Sequence, residues 1–145
     1  MPEPEEGRGA AEHAPPRATA TGPGRVLIAV YGIFALSATA RAGVQIAGRF
    51  SEAPVAYLLS ALAGLVYILA TFALAGQGPG ARRLAWAAVG FEMVGVLVVG
   101  TITAFVPGEF GPDDTVWSVY GRGYGFIPLI LPMIGLWWLR RTRGR

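Results

Sequence analysis

Cysteine is absent from the 145 residues. That excludes disulfides, thiolate metal sites and cysteine nucleophiles together. Lysine is absent too, so all 12 basic residues are arginines. Beside abundant Ala, Gly and Pro, this reads as coding bias and not as a chemical choice. The single histidine, His13, sits in a polar stretch, so one chain cannot build an imidazole site in its apolar part. Charge is scarce, at 14% of residues against 53% hydrophobic. A soluble domain carries roughly 25% charged residues. No Ser-His-Asp set, phosphate loop or metal-spaced His cluster occurs. Neither an enzyme, nor a cofactor, nor a metal site is expected. The net charge of +3 does not imply nucleic acid as a partner. The arginines flank apolar runs, where Arg normally fixes topology.

What the chain does have is four long apolar stretches, about Val26–Gly48, Val55–Ala75, Leu84–Val106 and Val116–Leu139. A hydrocarbon core about 30 Å thick needs roughly 20 apolar residues in a helix. The expected fold is all-α: a polytopic membrane protein with a four-transmembrane-helix antiparallel bundle over residues 25–145. Residues 1–24 hold Glu3, Glu5, Glu6 and Glu12, several prolines and no apolar run. Such a segment buries too little to offset its ordering entropy, so a disordered tail is expected. Its acidic start and the length of the apolar run that follows do not fit a signal peptide.

The connections read from their turn residues. In Arg49-Phe50-Ser51-Glu52-Ala53-Pro54, Ser51 is placed to cap the second span and Pro54 to occupy its first turn. Gly76-Gln77-Gly78-Pro79-Gly80 is a dense breaker cluster before Arg82 and Arg83. Pro107-Gly108 ends the third span, and Asp114 or Thr115 is placed to cap the fourth. Arg8, Arg17, Arg25, Arg82, Arg83, Arg140, Arg141, Arg143 and Arg145 fall on one side, while Arg49 faces Glu52, Glu109, Asp113 and Asp114 on the other. The positive-inside rule then predicts a multi-pass plasma-membrane protein with N- and C-termini cytoplasmic. Trp86, Trp137 and Trp138 are expected at the inner interface, and Tyr57 and Trp117 at the outer one. No internal repeat of the transporter kind links the two hairpins.

Ionisable groups inside spans are costly, and they mark candidate sites: Arg41, Glu92 and Arg122. Arg41 shares a helical stripe with Ser37, Gln45 and Gly48, about 24 Å from the inner edge. It reads either as part of an anion site or as a side chain snorkelling to the outer interface. Glu92 lies about 12 Å in from the inner edge, on a face with Ala88, Gly95, Val96, Val99 and Thr103. The second span carries a matching small and hydroxylated stripe, Ser60, Gly64, Tyr67 and Thr71. A hydrogen bond from Tyr67 to Glu92 is therefore expected, either as interhelical glue or as part of a proton-coupling site. Arg122, within Tyr120-Gly121-Arg122-Gly123-Tyr124-Gly125, comes out level with Arg41. Pairing with Asp113, Asp114 or Glu52 would lower the cost of burying either arginine. That run is too Gly-rich for a good helix. Gly121 and Gly125 have the spacing for close helix packing. The Gly123-Tyr124-Gly125 triplet is too short, and lacks the preceding pore helix, to count as a potassium filter. Pro128, Pro132 and Gly135 share one face of the fourth span, where proline bends a helix.

Tyr31…Ala38-Thr39-Ala40-Arg41…Gln45, the Glu52–Ser60 run, the Phe91–Gly100 run and Thr115-Val116-Trp117-Ser118 resemble the small uncharacterised four-span integral membrane proteins of actinobacteria. The resemblance implies four spans and carries no activity. The chain departs from the small multidrug exporters, which place a carboxylate in the first span where this one has Arg41. Three functions follow. The first is a structural, accessory or interaction role in the bilayer, partnered by itself as a homo-oligomer or by a larger membrane complex. The second is a small proton-coupled transporter or channel-like module using Glu92. The third is a binder of an anionic lipid headgroup through Arg41 and Arg122.

Overall fold

The structure is a computed structural model that describes residues 22–109 and 115–142. Most of the expected disordered tail, and both Asp113 and Asp114, lie outside the described residues. Four α-helices follow in order: α1 (Gly22–Arg49), α2 (Pro54–Ala75), α3 (Gly78–Phe105) and α4 (Ile127–Arg141). Short 3₁₀ segments, Phe50–Glu52 and Ser118–Tyr124, join α1 to α2 and precede α4. No strand occurs among the described residues. Three helices are long and apolar enough to cross a membrane, or four if the bent pair Ser118–Tyr124 and Ile127–Arg141 is one span.

The helices are consecutive antiparallel neighbours, which the short connections dictate. Gly64 of α2 lies against Thr39 of α1, and Gly32 of α1 lies against Thr71 of α2. Seven residues up one helix match seven residues down the other. Gly135 of α4 lies against Val89 of α3, and Arg82 reaches Thr142, which gives the same antiparallel register. Contacts between α1 and α4 close the ring.

Packing inverts the soluble pattern. The interior is rich in small residues, including Ala35, Ala38, Ala63, Ala70, Ala73, Ala85 and Ala88. Large apolar side chains face outward, as with Leu36 (76% exposed), Val44 (73%), Phe72 (72%) and Phe105 (79%). Water would penalise such a surface on every helix. Lipid does not, and small residues let backbones approach closely where no hydrophobic force drives helices together. These are the helices of a membrane protein.

Several boundaries differ from the sequence reading. Gly22–Gly24, expected in the tail, form the first turn of α1, where Pro23 loses no hydrogen bond. Ser51 caps nothing. It lies in a 3₁₀ turn, Ala53 is the N-cap of α2 without a side-chain bond, and Pro54 takes its expected first-turn place. The breaker cluster is shorter than expected, because Pro79 sits in the first turn of α3 and the helix already includes Gly78–Gly80.

The fourth span is the main correction. It is not one helix, because the two parts meet at 102°. Gly125 (φ 65°) and Phe126 (φ 60°) are both left-handed, and they reverse the chain just before Ile127. The break therefore falls at these residues and not at the prolines, although Pro128, Pro132 and Gly135 are all buried along one face as expected. At about 1.5 Å per residue, α4 is only about 22 Å long, less than the roughly 30 Å hydrocarbon core. The 3₁₀ segment before it packs against α3 and α4.

That fold-back has a local cause. The Trp117 N–H donates to Thr115 Oγ1 at 3.0 Å, and the Thr115 N–H donates to Ser118 Oγ at 2.8 Å. Thr115 does not cap the fourth helix as expected, because Phe126 is the N-cap of α4 and makes no side-chain bond; Thr115 closes a tight turn instead. Val119 (φ 46°) and Tyr120 (φ 60°) are in the left-handed region, a strained state for residues with side chains, above all a β-branched one. Two contacts hold them there. The Val119 N–H donates to Thr103 Oγ1 at 2.7 Å, and the Tyr120 ring lies over Gly100, where a Cβ would collide with it.

Candidate functional site

The embedded polar residues form a buried column between the helices. Its base is Glu92 of α3, which is 0% exposed. The Tyr31 hydroxyl of α1 donates to Glu92 Oε2 at 2.6 Å. Glu92 Oε1 has no hydrogen-bond partner among the described residues. Room for this bond across the bundle comes from Gly135 of α4. A Cβ there would stand 3.3 Å from the Tyr31 hydroxyl oxygen and 3.0 Å from Val89.

The donor expected from the sequence was Tyr67, and the structure corrects that. Tyr67 belongs to the α2 stripe with Ser60, Gly64 and Thr71, and this stripe packs on α1. Its hydroxyl instead accepts the Trp117 Nε1 hydrogen at 2.9 Å. Trp117 is 1% exposed and Tyr57 is fully buried, so neither side chain lies on the outer surface of the bundle. Gly95 makes the site for Trp117, since a Cβ there would lie 2.6 Å from the indole ring. Gly95 is about one turn from Glu92 on the same helix.

Rings continue the column. Tyr31 and Tyr67 have centroids 6.2 Å apart. Phe34 meets Tyr67 edge-on at 5.7 Å and Tyr124 at 5.8 Å. Arg41 Nη1 donates to the Tyr124 hydroxyl at 2.6 Å. The column thus joins a central carboxyl to a half-buried guanidinium through aromatic contacts. Among the described residues no hydrogen bond links Tyr31 to Tyr67, so the two polar pairs are separated by ring packing.

The other candidates are dispersed. Arg122 is exposed, two residues before Tyr124. Its expected partners Asp113 and Asp114 lie outside the described residues. Glu52 pairs with Arg49 at 3.6 Å, both about half exposed, and not with Arg41 or Arg122. Such a pair contributes about 0.2–1 kcal/mol. Gln45 is buried, and its Oε1 has no partner among the described residues. The stripe expected to join it to Ser37, Arg41 and Gly48 is not one surface, because Ser37 and Gly48 are exposed. Gly121 does permit close approach, but to the Pro128 ring and not to a facing helix. Among the described residues no three acidic, His or Cys side chains gather as a metal site would need.

Sequence reasoning missed Tyr31 as a donor and Tyr124 as the partner of Arg41. A signal for Tyr31 existed in its helical spacing to Phe34, Ala35 and Ala38, which marks a buried face. None existed for Tyr124, whose position depends on the left-handed residues around it. No protein-family model, curated protein or solved structure matches the chain.

Proposed function

We propose that this chain is an accessory component of the plasma membrane, without catalytic activity of its own. It is inserted with both termini in the cytoplasm and acts by associating with itself or with a larger membrane complex. The observation that carries this reading is the fully buried Glu92, whose carboxyl accepts the Tyr31 hydroxyl of another helix. A carboxyl used for transport needs a water path, whereas one used to fix helix packing needs a protein donor. Orientation rests on arginine: Arg25, Arg82, Arg83, Arg140 and Arg141 lie towards one end of the helices, and Arg49 beside Glu52 lies at the other. Extraction into native nanodiscs tests the reading. A stoichiometric protein partner, or a defined homo-oligomer, is the expected result. Monomer alone, even after cross-linking in the intact membrane, would overturn it.

A second reading is favoured by one observation. Glu92 Oε1 has no partner among the described residues, an atom at which a substrate proton or cation would be received. Under this reading the chain is a small proton-coupled transporter or channel-like module. Proteoliposomes loaded with a pH dye separate the two readings. Proton-linked flux that Glu92→Gln abolishes while the fold persists establishes transport and ends the accessory reading.

A further inference from the structure

The face of α4 turned away from the polar column carries Met133, Leu136, Trp137, Arg140 and Arg141 at i, i+3, i+4, i+7 and i+8. Together with Met93 of α3 these residues line a groove of about 600 Å³. Met133 and Trp137 are half exposed, so the groove opens sideways, where the acyl chains of a bilayer would lie. Its apolar wall runs about 10 Å from Met133 to Arg140 at the rise of a helix. It then ends at two exposed guanidinium groups. The Arg141 guanidinium carbon stands 5.3 Å from the Trp137 ring centroid, which fixes one of the two over the groove's own wall. Neither arginine forms an ion pair among the described residues.

We propose that this groove binds one anionic glycerophospholipid, with its phosphate at Arg140 and Arg141 and an acyl chain along Met93, Met133 and Leu136. Three features argue for that occupant. Basic pockets between transmembrane helices at the arginine-rich side attract anionic headgroups. A helix C-terminus would itself repel a phosphate. Here that repulsion is covered, because Arg82 donates to the Leu139 carbonyl oxygen and to Thr142 Oγ1. Finally, a second copy related by a two-fold axis would set the same arginines against each other, a repulsion that an anion removes. This site is distinct from Arg41 and Arg122, which lie towards the opposite end of the bundle.

Native mass spectrometry of the full chain, with phosphatidylglycerol and phosphatidylcholine offered at equal concentration, tests the proposal. Phosphatidylglycerol should bind at least tenfold more tightly. Arg140→Gln and Arg141→Gln should each reduce that preference about fivefold. The Arg→Lys changes should keep it within about twofold, because each lysine restores the charge. Met133→Trp should fill the groove and lower the occupancy of both lipids. Arg83→Gln, at the same end but outside the groove, should leave the preference unchanged. Equal loss in Arg83→Gln would show diffuse surface charge and overturn the site. So would loss of the preference in the lysine variants. A dimer that Met133→Trp abolishes would give the groove to a second copy and also overturn the proposal.

Discussion

The Tyr31–Glu92 bond makes the sharpest prediction, because it separates two neighbouring tyrosines. In Tyr31→Phe, Glu92 Oε2 loses its 2.6 Å donor while Oε1 already has no partner among the described residues. A carboxyl with no partner buried in protein costs about 1–3 kcal/mol. Interhelical bonds in membranes are weaker, about 0.6 kcal/mol on average and about 1.7 at most, because helices apart in the bilayer also find partners. The membrane scale decides here, and full burial puts this bond near its top, so Tyr31→Phe should cost about 1–1.7 kcal/mol. Glu92→Leu should cost about 1–2 kcal/mol, since it strands the Tyr31 hydroxyl. Glu92→Gln should cost less than Glu92→Leu, because the amide oxygen still accepts from Tyr31. In a double-mutant cycle the Tyr31/Glu92 coupling should approach about 1 kcal/mol, and the Tyr67/Glu92 coupling should stay under about 0.3. Steric trapping in bicelles measures each value. A Tyr67/Glu92 coupling as large as that of Tyr31 would refute the assignment of the donor.

Other outcomes follow from the same packing. Gly64→Ala places a Cβ 2.8 Å from Thr39 Oγ1 and 3.2 Å from the Thr39 backbone nitrogen; it should destabilise the α1–α2 pair by about 1–3 kcal/mol, whereas Gly43→Ala, with nothing within 4 Å, should not destabilise it. Equal thermal shifts for these two variants would contradict the close approach. Gly95→Leu should expel Trp117 from its site and break its bond to Tyr67, which tryptophan emission would report as a shift to longer wavelength; an unchanged spectrum would mean the indole is not there. Reporter fusions at Gln77 and at the C-terminus should read cytoplasmic, and one at Gly111 external, with an external C-terminus sinking the orientation. Gln77 is the better inner site because Gly80 lies within the first turns of α3.

The amino-acid sequence by itself determined the helical class, the ends of three helices to within six residues, the antiparallel order and the residues at which charge enters the apolar stretches. All of these depend on local composition and on short connections, so no distant contact is needed to read them. The stripe Ser60, Gly64, Tyr67 and Thr71 was legible as an interface because it repeats at helical spacing, but its partner was not, since it was read towards Glu92 of α3 and Gly64 and Thr71 meet α1. Only the tertiary structure decided which tyrosine reaches Glu92. Tyr31 and Tyr67 lie on different helices at similar depth, and the choice turns on Gly135 leaving room beside the Tyr31 hydroxyl. The broken fourth span was half legible, since its glycines spoke against a good helix. The inward fold of Trp117 was not. An apolar stretch of span length reads the same whether it crosses straight or turns back, and here Gly95 and Gly100 on a distant helix supply the two surfaces on which the turned segment rests.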